Sequence, residues 1–338
     1  MINVGIVGIG FIGSVHYHAW QKVRGAKVTA ICETDPKRRA GDWRGIKGNF
    51  GPPGQQMDLS GIGQYGDVDE MLADTKVDLV DICLPNALHT QVTLAALNAG
   101  KHVLCEKPIA TTTGDANRMV RAAERAGRQL MIAHVLPFFP EYDFAQKAIA
   151  EGKFGRMLGG HFKRVISDPT WIPDFYDPTT TGGPMLDLHV HDAHFIRLVC
   201  GMPRQVRSVG TMRGDVAERF STQFLFEGQD AMVTAMCGVI DQQGRPFTHA
   251  FEIYLERATL QFDEGVPLTV FDKNGKAKQP KLPSGDPVDV FARELAEATK
   301  AIRDNRPSPR LAGELARDAL ALCEKETKAV KTGRAVNV

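Results

Sequence analysis

Hydrophobic residues in the first 134 positions come in short runs, Ile2–Val7, Lys27–Glu33, Asp78–Leu84, His102–Glu106 and Gln129–Ala133, separated by stretches with amphipathic helical spacing. Short apolar runs alternating with helices predict a parallel sheet with helices on both faces, because strands buried on both sides show no polar alternation. The rhythm breaks from Gly41 to Gly63, a Gly- and Pro-rich stretch that reads as an insertion after the second strand. From about Pro140 the pattern changes. A helix over Glu141–Glu151 precedes β-rich runs near Met157–Val165, Gln205–Met212, Ser221–Phe226, Ala231–Val239, Thr248–Tyr254, Thr259–Phe262 and Leu268–Phe271, several joined by hairpin-length turns. Those turns predict a mainly antiparallel sheet. Helical stretches over Asp187–Val199, Val288–Arg303 and Ala312–Lys331 complete this half. The pattern therefore predicts an α/β domain over residues 1–136 and an α+β domain with an open, mainly antiparallel sheet over 137–338.

Composition narrows the function classes. With 41 Lys+Arg against 40 Asp+Glu in 338 residues, there is no global field to draw the chain onto nucleic acid or an anionic membrane, and neither partner is expected. No run approaches the ~20 apolar residues of a membrane span. The six cysteines are scattered, with no C-x-x-C pair and no zinc spacing, so they read as reduced core thiols. The sequence starts directly on a strand-like run without a signal-peptide pattern, and together with reduced thiols this favours a cytoplasmic protein.

The first candidate chemistry follows the first strand. Gly8-Ile9-Gly10-Phe11-Ile12-Gly13 is a G-x-G-x-x-G run between a strand and a helix, the context in which it binds a dinucleotide, and it makes the first domain a Rossmann domain. Gly8 permits the tight turn, Gly10 lets the backbone approach the pyrophosphate, and Gly13 allows close helix–strand packing, with Phe11 and Ile12 completing the cradle. Roughly twenty residues further on, Glu33 ends the second strand, where a carboxylate accepts the ribose hydroxyls. It repels a 2′-phosphate and favours NAD; NADP is the less favoured alternative, because Arg38 and its basic neighbours follow at once.

Asp81-Ile-Cys-Leu-Pro-Asn-Ala-Leu-His89 and Ala95 to Pro108, with its Glu106-Lys107-Pro108 ending, resemble the glucose-fructose oxidoreductase / inositol dehydrogenase (Gfo/Idh/MocA) family, as does the Gly-Gly-x-x-x-Asp-x-x-x-His segment from Gly182 to His191. The order of elements matches over essentially the whole chain. The resemblance implies an oxidoreductase moving hydride between a nicotinamide and a secondary hydroxyl or carbonyl of a sugar or cyclic polyol. It implies that Pro85, Asn86, His89, Glu106 and Lys107 help to bind the cofactor, and that His191 transfers the proton with Asp187 in support. Physical reasoning agrees. Lys107 lies past the carboxyl end of a core strand, where open parallel sheets bind ligands, and a cationic donor there stabilises an alkoxide. Asp187 and His191 are four residues apart in a helical stretch and share a face. Lys107, Asp187 and His191 are thus the expected catalytic and substrate-binding group.

Other substrate contacts are expected from His134 at the end of the last Rossmann strand and from Asp168, Trp171 and Tyr176, which offer a hydroxyl acceptor and rings to stack on a sugar face. His191, His194 and Asp187 also fall on one helical face, but these residues already serve hydride and proton transfer, and no metal is expected. One departure from the family bears on substrate: an Asn-Arg-Arg-Phe-like run is replaced by Val135-Leu-Pro-Phe-Phe-Pro140, which puts acidic substrates in doubt. Two alternatives keep the fold: a redox-neutral glycosidase or epimerase using NAD transiently, and a non-enzymatic dinucleotide-sensing regulator. The resemblance also implies a homodimer or homotetramer paired through the C-terminal sheet. The insertion, with five glycines and two prolines in Gly41–Gly54, is expected to lie over or beside the adenosine half of the cofactor site, with Trp43 and Arg44 available to stack on the adenine; a surface excursion or a contact with a neighbouring subunit is the alternative.

Overall fold

The apolar run Ile2–Val7 forms β1, and its last four residues are buried. Around it a parallel sheet assembles from β2 (Ala26–Cys32), β3 (Gly63–Tyr65), β4 (Leu79–Ile82), β5 (His102–Glu106) and β6 (Leu130–Ala133), in the order β3-β2-β1-β4-β5-β6. The connecting helices are α1 (Phe11–Trp20), α2 (Pro36–Arg39), α3 (Val68–Ala73), α4 (Asn86–Asn98) and α5 (Thr113–Ala126). Strand order reverses between β1 and β4, and such a switch point opens a ligand crevice at the strands' carboxyl ends. Gly13 lets α1 sit tightly on the first turn: a Cβ there would lie 2.0 Å from the Gly8 carbonyl oxygen.

The computed structural model describes residues 1–228 and 230–338, which divide into two units: Met1–Phe138 with Ser284–Ala316, and Phe139–Pro283 with Arg317–Val338. In the second unit α6 (Pro140–Ala150) precedes β7 (Met157–Ser167), a single π turn over Met185–His189, and α7 (Val190–Cys200). Strands β8 (Gln205–Arg213), β9 (Val216–Leu225), β10 (Met232–Ile240), β11 (Thr248–Leu255), β12 (Ala258–Asp263), β13 (Val266–Asp272) and β14 (Ala277–Lys278) join β7, and β15 (Val336–Asn337) closes the edge. The sheet order is β14-β13-β12-β11-β7-β10-β9-β8-β15, and only the β7–β10 pairing is parallel.

The single division expected at residue 136 is corrected by α8 (Pro287–Arg303), whose residues belong with the first unit. Asp286 and Asp289 form a reciprocal capping box with Pro287 in the first turn, which fixes the start of the helix. Lys22 pairs with Asp289 at 2.7 Å, and the Phe291 ring lies 5.7 Å from the His16 ring. These are contacts between positions far apart in sequence, invisible to local periodicity. The final helix, α9 (Gly313–Thr332), starts in the first set of residues and continues in the second.

In the second unit Tyr142, Phe162, Phe195 and Phe251 are nearly or fully buried. Among them lies an ion pair: Arg164 Nε donates to Asp192 Oδ2 at 2.7 Å and its Nη2 to Oδ1 at 3.0 Å, at exposures of 5% and 1%. Removing one partner strands the other charge in a low-dielectric core. Arg164→Met is expected to cost roughly 3–5 kcal/mol, and Arg164→Met combined with Asp192→Leu to recover most of it, as measured by urea denaturation of the full chain.

Candidate active site

At the carboxyl ends of β1, β2 and β4 a cavity of about 650 Å³ is lined by Gly8, Gly10, Glu33, Arg38 and Pro85, with Leu88 and Gln91 from α4. Five residues expected to hold a dinucleotide are therefore gathered in one cavity. Gly8 adopts φ +90°, and a Cβ there would meet the Cys83 carbonyl oxygen at 2.6 Å; a Cβ on Gly10 would meet nothing within 4 Å, so the backbone there faces open space. Glu33 does two jobs. Its Oε2 accepts from the Ile9 amide at 2.8 Å and its Oε1 from the Asp35 amide at 2.9 Å, so the carboxylate fixes the glycine turn while lining the cavity. Arg38, on the same wall, has its Nε 3.8 Å from Asp35 Oδ2. Phe11 and Ile12 are partly exposed in the first turn of α1, and Asn86 is the first residue of α4.

The insertion does not enter this cavity. Among the described residues, none from 41–63 lines that cavity. Trp43 is 1% exposed, packs edge-on against Tyr17 at 4.9 Å and donates its indole N–H to the Arg38 carbonyl at 2.9 Å. Arg44 is bound to Asp42 at 2.8 and 2.9 Å. Phe50 lies between Phe11, at 4.9 Å, and Phe291, stacked at 5.6 Å. Trp43 is thus packed on α1 rather than free to stack on adenine, since a large apolar ring with a core partner and a carbonyl acceptor is more stable buried than exposed, and Arg44 is held by Asp42.

Lys107 is the one partly exposed residue in Val103–Ala110. The preceding Glu106, 8% exposed, accepts the Lys107 amide on Oε2 at 3.0 Å. His89 is fully buried, with Nδ1 2.8 Å from the Pro108 carbonyl oxygen and Nε2 2.8 Å from that of Leu84. Both ring nitrogens face backbone oxygens, so His89 joins two loops rather than contacting a cofactor, a correction to its expected role. Beneath this turn lies a group that sequence reasoning missed. His16 Nδ1 donates to Asp81 Oδ2 at 2.9 Å, and Trp20 donates its indole N–H to the same oxygen at 2.7 Å. His16 Nε2 stands 3.2 Å from Glu106 Oε1. Burial alone lowers the His16 pKa, but Asp81 and then Cys83 outweigh it, and the imidazole is held well above the ordinary histidine value. Glu294 of α8, fully buried near these groups, is pushed well above the usual carboxyl value by burial, with Glu106 and Asp81 adding to the shift. Among the described residues, His16, Asp81 and Cys83 are the one set of His, Cys and carboxylate ligand atoms close enough to hold a metal, and all three are buried.

In the second unit, Asp187 and His191 are the only two residues between Gly182 and Ile196 that are not buried. Both are partly exposed. The local helix differs from the expected one, because the π turn over Met185–His189 bonds i to i+5 and the α-helical register starts only at Val190. His194 is fully buried, which removes it from the face it was expected to share with Asp187 and His191. The helix is anchored behind that face by Asp192 on Arg164 and by His189 Nε2 against Glu326 Oε2 at 2.9 Å, both members fully buried. Asp168 accepts from the Tyr176 hydroxyl at 3.0 Å and from Arg213 at 3.2 Å, and the Arg213 guanidinium lies 3.9 Å from the Tyr176 ring centre. Those two predicted contacts are therefore brought together, and Arg213 is a member that the sequence did not suggest. Trp171 is 64% exposed, whereas His134 is fully buried and closed to a substrate in this structure, a correction to its expected role.

Residues 2–134 match the model of an oxidoreductase family with an NAD-binding Rossmann fold, and residues 142–261 match the GFO/IDH/MocA C-terminal domain. The class is thus an NAD-binding oxidoreductase. The chain is 31% identical over 297 residues to 1,5-anhydro-D-fructose reductase of Ensifer adhaerens, covering 82% of this chain and 85% of that one. It is also 31% identical over 203 residues to inositol 2-dehydrogenase 2 of Saccharopolyspora erythraea, covering 59% and 54% respectively. In fold it resembles levoglucosan dehydrogenase in complex with NADH and L-sorbose, with a TM-score of 0.83 at 21% identity over 100% of this chain and 98% of that one. The chain belongs to the Gfo/Idh/MocA oxidoreductase family. Among the described residues no helix is long and apolar enough to cross a membrane.

The buried acid yields a pH prediction. Because the folded-state pKa of Glu294 is raised, the unfolded chain ionises first as pH rises past the ordinary carboxyl value, and Glu294 costs stability progressively until its own raised pKa is reached. Glu294→Gln should therefore gain stability relative to the parent as pH increases through that window, and little below it. Thermal unfolding of the two proteins at matched pH measures the difference.

Proposed function

We propose that the chain is an NAD-dependent dehydrogenase or reductase of a neutral sugar or cyclic polyol. The observation that carries this reading is the presentation of Lys107: a single partly exposed cationic side chain in an otherwise buried segment, at the carboxyl end of a Rossmann strand. The residues fit the cofactor. Gly10 leaves the space a pyrophosphate needs, the start of α1 supplies amide donors, and Glu33 supplies the ribose acceptor. Glu33 and Arg38 both line the cavity; NAD is favoured over NADP because the Glu33 carboxylate repels a 2′-phosphate and Arg38 lies near Asp35. Bound NAD supplies the hydride acceptor, and its reduced form the donor.

The chain's own residues do the rest. The Lys107 ammonium donates a hydrogen bond to the substrate oxygen and stabilises negative charge there as the C–H bond breaks or forms. The His191 imidazole takes or returns the hydroxyl proton, and the Asp187 carboxylate orients it or holds a neighbouring hydroxyl. A neutral substrate is supported by the Val135–Pro140 segment, which has no basic side chain and in which Leu136 and Phe138 are buried. Pairing of two copies through the second unit's sheet is part of this reading. Register places Val209 beside Ser221 and Ser221 beside Met236, and these rows put Val209, Met232, Met236 and Phe271 on one face at exposures of 72, 52, 46 and 41%. Sedimentation velocity of the parent and a Val209→Lys, Met236→Lys variant tests it, and a parent that sediments as a monomer overturns it.

A panel of sugars and polyols with NAD and NADP, followed at 340 nm and by product analysis, tests the chemistry. Net cofactor turnover on a neutral polyol is expected; product without net turnover would mean a redox-neutral cycle. Lys107→Ala and His191→Ala are each expected to lower turnover by roughly 10²–10⁴ while calorimetric NAD affinity stays nearly intact. Near-normal turnover in either variant removes that residue's catalytic role.

A further inference from the structure

The first turn of α1 has to keep its shape with little help from its own helix. The leading amides of a helix have no acceptor within it, and helix ends open most readily. Here the Ser14 amide closes the first helical hydrogen bond onto the Gly10 carbonyl at 3.0 Å, and Phe11, the first residue of α1, lies between the two. The Phe11 ring is held from outside by the insertion. At Gly48 the chain crosses the ring so closely that a Cβ would fall 1.8 Å from Cδ2 and Cε2, so only glycine can stand there with the ring in place. Phe50 meets the same ring edge-on at 4.9 Å and stacks on Phe291 of α8 at 5.6 Å. Gly51, at φ +83°, then turns the chain over both helices: a Cβ there would lie 3.4 Å from Val15 Cγ2 and 3.9 Å from Val288 Cγ2. The insertion is itself well footed. Its two ends are joined, the Met57 amide donating to the Gly41 carbonyl at 2.8 Å and the Trp43 amide to the Gln55 carbonyl at 3.1 Å. Trp43, packed on Tyr17, fixes that base on the last turn of α1. The loop thus reaches from the last turn of the helix to the first, with a cavity of about 520 Å³ between, lined by Ser14 and His18 of the helix and Pro52 and Pro53 of the loop.

We propose that the insertion is a brace for the dinucleotide turn: Gly48 and Phe50 fix the Phe11 ring, Phe50 taking its own support from Phe291, and so keep the first turn of α1 in the shape that receives the pyrophosphate. A turn ordered before its ligand arrives does not have to be ordered by it, and the affinity gains by that difference. Gly48 and Phe50 are therefore positioning residues, acting on the cofactor through Phe11 without lining its cavity. For its effect on affinity the inference rests on the reading of this turn as the pyrophosphate seat. The effect on the turn itself stands without it.

Two measurements on the full chain decide it. Gly48 is exposed and Phe50 half-buried, so Gly48→Ala and Phe50→Ala leave the core of the first unit filled. In the first measurement, without cofactor, hydrogen exchange is followed by mass spectrometry on short peptides spanning residues 8–16, resolved to single amides by fragmentation. Exchange of the Ser14 amide is expected to speed up about tenfold or more in both variants, with β4 and β5 unaffected. Unchanged exchange at Ser14, or acceleration shared by the whole first unit, overturns the proposal. In the second, NAD affinity is measured by calorimetry for Gly48→Ala, Phe11→Ala and the double variant. Gly48→Ala is expected to weaken NAD about tenfold, and, since the added methyl acts through the ring, to add nothing once the ring is gone. Unchanged affinity in Gly48→Ala, or losses that add in the double variant, overturn the proposal. A parent that binds no NAD removes the cofactor reading instead, and the exchange measurement then decides by itself whether the insertion braces the turn.

Discussion

Asp81 puts a carboxylate at zero exposure in the middle of a parallel sheet, and such a group is stable only when donors surround it. Here the donors come from α1, through His16 and Trp20, and from the thiol of Cys83 at 3.7 Å. Meeting that one requirement ties the helix that follows the glycine turn to the strand at the sheet's switch point. Glu106 Oε1 lies 3.2 Å from the second nitrogen of the same imidazole, without a hydrogen bond between them. Removing water from a carboxylate thus ties the helix after the glycine turn to the strand ends. Burial, with Glu106 and Asp81 adding to it against the opposing pull of His16, raises the pKa of a further acid in the neighbourhood, Glu294, well above the usual carboxyl value.

The second unit uses the same device with different residues. Its π turn and α7 present Asp187 and His191 outward, while Asp192 and His189 on the same segment are consumed by Arg164 and Glu326. A buried ion pair adds little stability compared with a well-packed apolar pair, so its use here points to placement of the helix. A segment with two alternating polar sets, one paired inside and one turned out, has little freedom to rotate about its axis.

Much of this was legible in the sequence because period-2 and period-3.6 patterns report burial directly. The strands β1 and β5 lie where the apolar runs put them, and Asp187 and His191 are the partly exposed residues of a segment otherwise buried from Gly182 to Ile196. Glu33, singled out by its distance beyond the glycines, lines one cavity with Gly8 and Gly10. What the sequence did not show depends on long-range contacts. His16 looks like any histidine on a helix until Asp81 and Glu106, far along the chain, are placed beside it. Glu294 and Phe291 read as ordinary members of an amphipathic helix, and nothing local says that α8 returns to the first unit. Trp43 misled for a related reason: a ring in a Gly-rich stretch suggests exposure, and only Tyr17 and the Arg38 carbonyl explain its burial.

The six free thiols carry a consequence of their own. Burial pushes Cys32 up to about 11 and Cys83 and Cys200 up to about 12, and holds Cys105, Cys237 and Cys323 well above the ordinary thiol value. Since the thiolate is the reactive form, the folded chain presents almost no nucleophilic sulfur to an alkylating reagent. Cys32, Cys83 and Cys105 lie in the first unit and Cys200, Cys237 and Cys323 in the second. The protein thus carries three built-in stopwatches for each half, and the order in which they take up label under mild denaturant records which half opens first.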